Sequence, residues 1–120
     1  MSSISEALTA LLGQFNIVES VVTPGSANTF VQLCMANPLR WGLVISAPIN
    51  TSNGLPSPAW IRTNQGLAAT FAGIPLGQGN GWKEFDFRDF GALVQQAWYG
   101  AIQSAVGVGS WHIIEVIIQQ

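Results

Sequence analysis

Hydrophobic and polar positions alternate with a period of two along most of this chain. The clearest run is 40–46, where Trp41, Leu43 and Ile45 share one face and Gly42, Val44 and Ser46 the other, the pattern of a strand with one buried side. Asn37-Pro38 ahead of it is a turn dipeptide, because the proline ring fixes its own φ and pushes the preceding residue out of the helical region. Arg40 is then expected at the mouth of the strand. Residues 16–23 set Ile17, Glu19 and Val21 against Val18, Ser20 and Val22 before Thr23-Pro24-Gly25 stops them. Residues 29–36 set Val31, Leu33 and Met35 against Phe30, Gln32, Cys34 and Ala36, and a tight turn is expected to lead on into 40–46.

The second half continues in the same way. Trp60 and Arg62 share a face of a short strand over 59–63, closed by Asn64-Gln65-Gly66, and 67–71 is a weaker strand candidate. Over 82–87, Phe85 and Phe87 oppose Trp82, Glu84 and Asp86, and Asp89-Phe90-Gly91 makes a turn. Residues 92–102 contain Ala, Leu and Gln, which favour helix, yet Val94, Gln96 and Trp98 alternate against Leu93, Gln95, Ala97 and Tyr99, which predicts a strand. The last run, 110–118, carries Trp111, Ile113 and Ile117 on one face and Ile114, Val116 and Ile118 on the other. Apolar on both faces, it should be central or covered on both sides.

Two stretches break the alternation. Ile4, Leu8, Leu11, Leu12 and Phe15 recur at helical spacing behind a Ser3–Glu6 capping box, with Gly13 placed to end the helix. A helix this short is unstable alone in water, so it must dock on its own sheet or on a neighbouring subunit. Residues 48–58, dense in Pro, Asn, Ser and Gly, predict a projecting contact loop. The glycine-dense 73–81 reads as a sheet corner. It lacks the lysine and Ser/Thr of a phosphate-binding loop, and no helix follows it. Together the pattern predicts an all-β, single-domain β-sandwich or jelly-roll-like fold over 16–120, preceded by a short N-terminal helix or arm over 1–15.

Composition changes this picture in one respect. Only 8% of the 120 residues are charged, against about 25% in ordinary soluble domains, while 48% are hydrophobic. An isolated globule needs more charge than this on its surface, so a good part of the exterior is expected to meet other protein. The four basic residues, Arg40, Arg62, Lys83 and Arg88, are scattered, which argues against nucleic acid as a partner. No run approaches the roughly 18 apolar residues of a membrane-spanning helix, and the start lacks the basic region of a secretion signal. Assembly in a cytoplasm is therefore expected. Cys34, the one cysteine, cannot form an intrachain disulfide and reads as a small buried hydrophobe.

Candidate chemistry is sparse. His112 is the one histidine, it sits within a strand, and no Gly-x-Ser-x-Gly elbow accompanies it. Glu84, Asp86 and Asp89 form the one acidic cluster. Glu84 and Asp86 share a face two residues apart, a spacing that suits paired glycosidase carboxylates or a calcium ion. Lys83 and Arg88 interleave with them, so an ion-paired strand is the plainer reading. Five tryptophans, Trp41, Trp60, Trp82, Trp98 and Trp111, fall one to a strand and suit a core or a subunit interface better than a sugar platform. No enzyme, cofactor or metal is expected from these residues.

The segment Ala36-Asn37-Pro38-Leu39-Arg40-Trp41-Gly42-Leu43-Val44-Ile45-Ser46 is followed by Gly73-Ile74-Pro75-Leu76-Gly77-Gln78-Gly79, by Gly91-Ala92-Leu93-Val94-Gln95-Gln96-Ala97-Trp98-Tyr99 and by Glu115-Val116. This succession resembles small β-sandwich virion proteins of tailed bacteriophages, over about two thirds of the chain. The resemblance implies a capsid decoration or cement subunit on the outside of the virion shell, bound to the major capsid protein and homo-oligomeric, as a trimer. Leu8, Leu11 and Leu12 on the helix, with Asn53, Leu55 and Trp60, are the candidate interface residues. The alternative is a tail-associated or receptor- and glycan-binding module that presents Trp60 and Trp82 on one platform.

Overall fold

The computed structural model describes residues 15–64, 73–77, 79–104 and 106–118. The described residues form eight strands, β1 (Phe15–Val22), β2 (Val31–Cys34), β3 (Arg40–Ser46), β4 (Ala59–Arg62), β5 (Ile74–Leu76), β6 (Trp82–Asp86), β7 (Trp98–Ile102) and β8 (Trp111–Ile118). They make two four-stranded antiparallel sheets packed as a sandwich, in the orders β1-β8-β3-β6 and β2-β7-β4-β5. The pairing is nested, β1 with β8, β2 with β7, β3 with β6 and β4 with β5, as if one long hairpin had been rolled over itself. The turn at Asn37 therefore carries the chain from one sheet to the other and does not join neighbouring strands.

Side chains from both sheets meet between the layers. Leu43, Ile45, Phe85, Trp111 and Ile113 of the first sheet pack with Leu33, Ile61, Trp98 and Ile102 of the second. Full burial of an aliphatic or Phe side chain contributes about 1.5–3 kcal/mol each relative to exposure. The Phe85 and Trp98 rings lie 4.6 Å apart between centroids. Gly100 makes room for this core, since a Cβ there would sit 2.7 Å from the Trp111 ring and 2.9 Å from Leu33.

Several expectations are corrected. Among the described residues a helix the sequence did not predict, α1 (Phe87–Phe90), follows β6, and a 3₁₀ turn over Gly91–Gln95 continues it, so the predicted 92–102 strand is reduced to β7. The reason is that the carbonyls a strand would have used are taken. Asn37 N–H donates to the Gln95 carbonyl at 2.9 Å, and Arg40 donates to those of Val94 and Gln96. Phe87 begins α1 because the Asp86 carboxylate caps the Asp89 N–H at 2.8 Å, so the Asp89-Phe90-Gly91 turn is the end of that helix. The 73–81 corner contains β5, a three-residue strand whose Pro75 is accommodated because β5 is a sheet edge.

Bulges displace two other residues. Pairing shifts between Arg40 and Gly42, and Trp41 leaves the core face to pack half-buried against Phe87 at 4.3 Å. A second shift between Gln32 and Cys34 leaves Met35 exposed rather than beside Leu33. Phe15 opens β1 instead of closing a helix. The rest of the expected helix, with Leu8, Leu11 and Leu12, and the 67–71 strand lie outside the described residues.

Candidate interaction surface

Arg40 is the largest departure from the sequence reading. It is not at an open strand mouth but buried, 1% exposed, on the inner side of the first sheet. All five of its N–H groups are used. Nε donates to Glu115 Oε1 at 2.8 Å, Nη1 to the Val94 and Gln96 carbonyls at 3.0 Å each, and Nη2 to the Met35 carbonyl and Glu115 Oε1. Asn37 completes the corner. Its carbonyl accepts from Arg40 N–H at 3.1 Å, and its side-chain oxygen accepts from Leu39 N–H at 2.9 Å. A planar five-donor fork can tie β2, β3, the 3₁₀ turn and β8 together in this way, and an ammonium group cannot. With every Arg40 donor satisfied, the guanidinium holds structure.

The opposite side of the same sheet is open and apolar. Register places Ile17 beside Val116 and Gly42, Glu19 beside Ile114 and Val44, and Val21 beside His112 and Ser46. Ile17 and Val21 are 66% and 71% exposed, and Val44, Ile114 and Val116 are half-buried, so five aliphatic side chains share this face across three strands, with Glu19 and His112 among them. Within it His112 Nε2 and Glu19 Oε1 lie 3.1 Å apart. Along its β6 rim stand Glu84, Asp86 and Trp82, the last 55% exposed. The signal for this surface was in the sequence, since β1 and β8 are apolar at both parities. Solvent exposure of one parity was the missing fact.

The second sheet is covered where the first is open. Ala101 and Arg62 alternate outward from the buried Gly100 and Ile61, yet are themselves buried, and the Arg62 guanidinium lies 3.6 Å from the centre of the Phe30 ring. Trp60 is half-buried on this sheet and Trp82 belongs to the other, so the two do not form one platform. Trp98 and Trp111 are core residues.

The other candidates separate in space. Asn53 and Leu55 lie at the exposed tip of the 48–58 loop, where the Asn53 side-chain oxygen accepts from Leu55 N–H at 2.9 Å. That loop is more ordered than its composition suggests, with bridges from Ile49 to Pro56 and from Asn50 to Val108. Asp86 and Asp89 flank Arg88 at 3.9 and 3.6 Å, an ion-paired arrangement at a helix end. Among the described residues no three His, Cys, Asp or Glu side chains gather as metal ligands, and no helix is long and apolar enough to cross a membrane. Cys34 is buried and unpaired. Burial pushes its thiol pKa up, the nearby Arg40 charge partly opposing.

Comparison of the chain with protein-family models, with curated proteins and with solved structures yields no match.

Proposed function

We propose that this chain is a non-enzymatic structural subunit of a tailed-phage virion, a decoration or cement protein that braces the outside of the major capsid shell. The observation that carries the reading is the open patch of Ile17, Val21, Val44, Ile114 and Val116. Exposed hydrocarbon from three strands on the outside of a sheet, in a chain with only 8% charged residues, supports a surface that works while covered. Burying such area supplies roughly 25 cal/mol per Å² before the costs of association. The sheet edges β1, β6, β2 and β5 offer further backbone pairing to a neighbour in a trimer or on the shell.

The virion setting is supported by the motif resemblance and by topology. Nested pairing of eight strands in two sheets is a jelly roll, an architecture used by viral capsid and lectin domains. Fold alone does not assign a function, so the site is what must be tested. The purified protein, sized by mass measurement, is mixed with undecorated capsid shells and sedimented. The expected result is saturable co-sedimentation, lost in Ile17→Asp/Val21→Asp. A permanently monomeric protein that binds no shell would overturn the proposal.

A further inference from the structure

At one end of the β3–β6 pair the 48–58 loop and residues 79–81 flank a cleft of about 590 Å³, within the range of small-molecule sites. Its walls are held by backbone bonding. Ala47 N–H donates to the Gly81 carbonyl at 2.7 Å, and Gly77 and Asn80 exchange N–H···O bonds at 3.0 Å each. A Cβ on Gly81 would lie 2.3 Å from Pro56 Cγ, so the loop seats against the turn only because residue 81 has no side chain. The cleft is thus largely preformed, which lowers the cost of filling it.

We infer that this cleft binds a neutral sugar ring, stacked on Trp82. Three observations bear on the ligand's chemistry. Among the described residues no ionisable side chain lines the cleft, so nothing there calls for a charged ligand. Trp82 is more than half exposed, whereas Trp98 and Trp111 are buried and Trp41 and Trp60 half-buried, so one indole face is open to the C–H face of a pyranose. Asn80 and Ser46 line the same cleft. An amide that donates and accepts, with a hydroxyl nearby, matches adjacent sugar hydroxyls. A proline-rich peptide is the rival neutral ligand. It docks between successive aromatic ridges, and among the described residues this cleft has a single aromatic, with a proline already in its wall.

The test uses the full chain labelled with ¹⁵N and titrated separately with methyl glucoside, methyl mannoside, methyl galactoside, N-acetylglucosamine and oligoproline. At least one sugar is expected to shift the Trp82 indole and the Gly81 amide saturably in the millimolar range, as one ring on one aromatic should. Trp82→Ala abolishes the Gly81 shift. Asn80→Ala, which leaves the indole in place, weakens binding about tenfold, the value of one hydrogen bond. Absence of a saturable shift with every sugar, a shift unchanged in Trp82→Ala, or binding of oligoproline alone would overturn the inference.

Discussion

Arg40 and Ile17 belong to the same sheet and occupy opposite sides of it, each in the environment the other would ordinarily have. The arginine is inside, 1% exposed, with five hydrogen bonds; the isoleucine is outside, 66% exposed, on a patch of its own kind. A buried charge is costly unless every donor is answered, and here every donor is. Exposed hydrocarbon has no such internal remedy. The satisfied polar cluster therefore explains the fold, and the unsatisfied apolar patch points to the function.

Loss of Arg40 should do the greatest damage to the buried side. Arg40→Met strands the Glu115 carboxylate and three main-chain carbonyls, and should destabilise the protein by about 3–5 kcal/mol in denaturant unfolding. Arg40→Lys keeps the charge and loses the fork, so it should fall between the wild type and Arg40→Met. Adding Glu115→Met to Arg40→Met should recover part of the loss, because no unpaired charge then remains. Equal stability of Arg40→Met and the wild type would mean that the knot holds nothing. Next in size is Gly100→Ala, where the added methyl meets Trp111 and Leu33 and should cost about 1–3 kcal/mol in the same assay.

How the sequence conveyed these features differs between the two sides. Periodicity located β3 well, because Trp41, Leu43 and Ile45 keep one parity apolar, whereas β1, β6 and β8 were legible from partial alternation, β-branched and aromatic content and flanking turns. It could not see Arg40 inside, since a charge enters a core only when partners distant in sequence, here Glu115, Val94 and Gln96, converge on it. The same convergence explains the misread 92–102 run, whose alternation was present but whose carbonyls were engaged by Asn37 and Arg40. β5 was hidden because three residues containing a proline between glycines carry almost no strand signal. Exposure of Ile17 and Val21 depends on whether anything lies over the sheet, which no local pattern encodes.

Cys34 gives a smaller, pH-dependent effect on the buried side. Its thiol pKa is raised by burial, so the folded state holds the proton longer than the unfolded chain. Stability is fully present below the ordinary thiol value and is lost as pH rises through the folded one. Unfolding curves of wild type and Cys34→Ala should therefore converge as the solution becomes alkaline, and curves that stay parallel would contradict the shift. On the open side, Ile17→Asp/Val21→Asp should change the stability of the free protein by no more than about 1 kcal/mol per site, while abolishing shell binding. A large loss of stability would mean that these residues are already covered in the free protein.

The smallest expected effect is the most discriminating. His112 and Glu19 pair at 3.1 Å in the middle of the patch with side chains 45% and 61% exposed. Water screens such a pair, so His112→Ala should alter the free protein by less than about 0.5 kcal/mol. If the patch is covered on assembly, the same replacement leaves the Glu19 carboxylate without its partner under another molecule, and an unpaired charge in a closed interface is expensive. Binding to shells should then weaken well beyond the change in stability, and the double replacement Glu19→Gln/His112→Ala should restore part of it. Equal effects on stability and on binding would place the pair, and with it the centre of the patch, outside the contact.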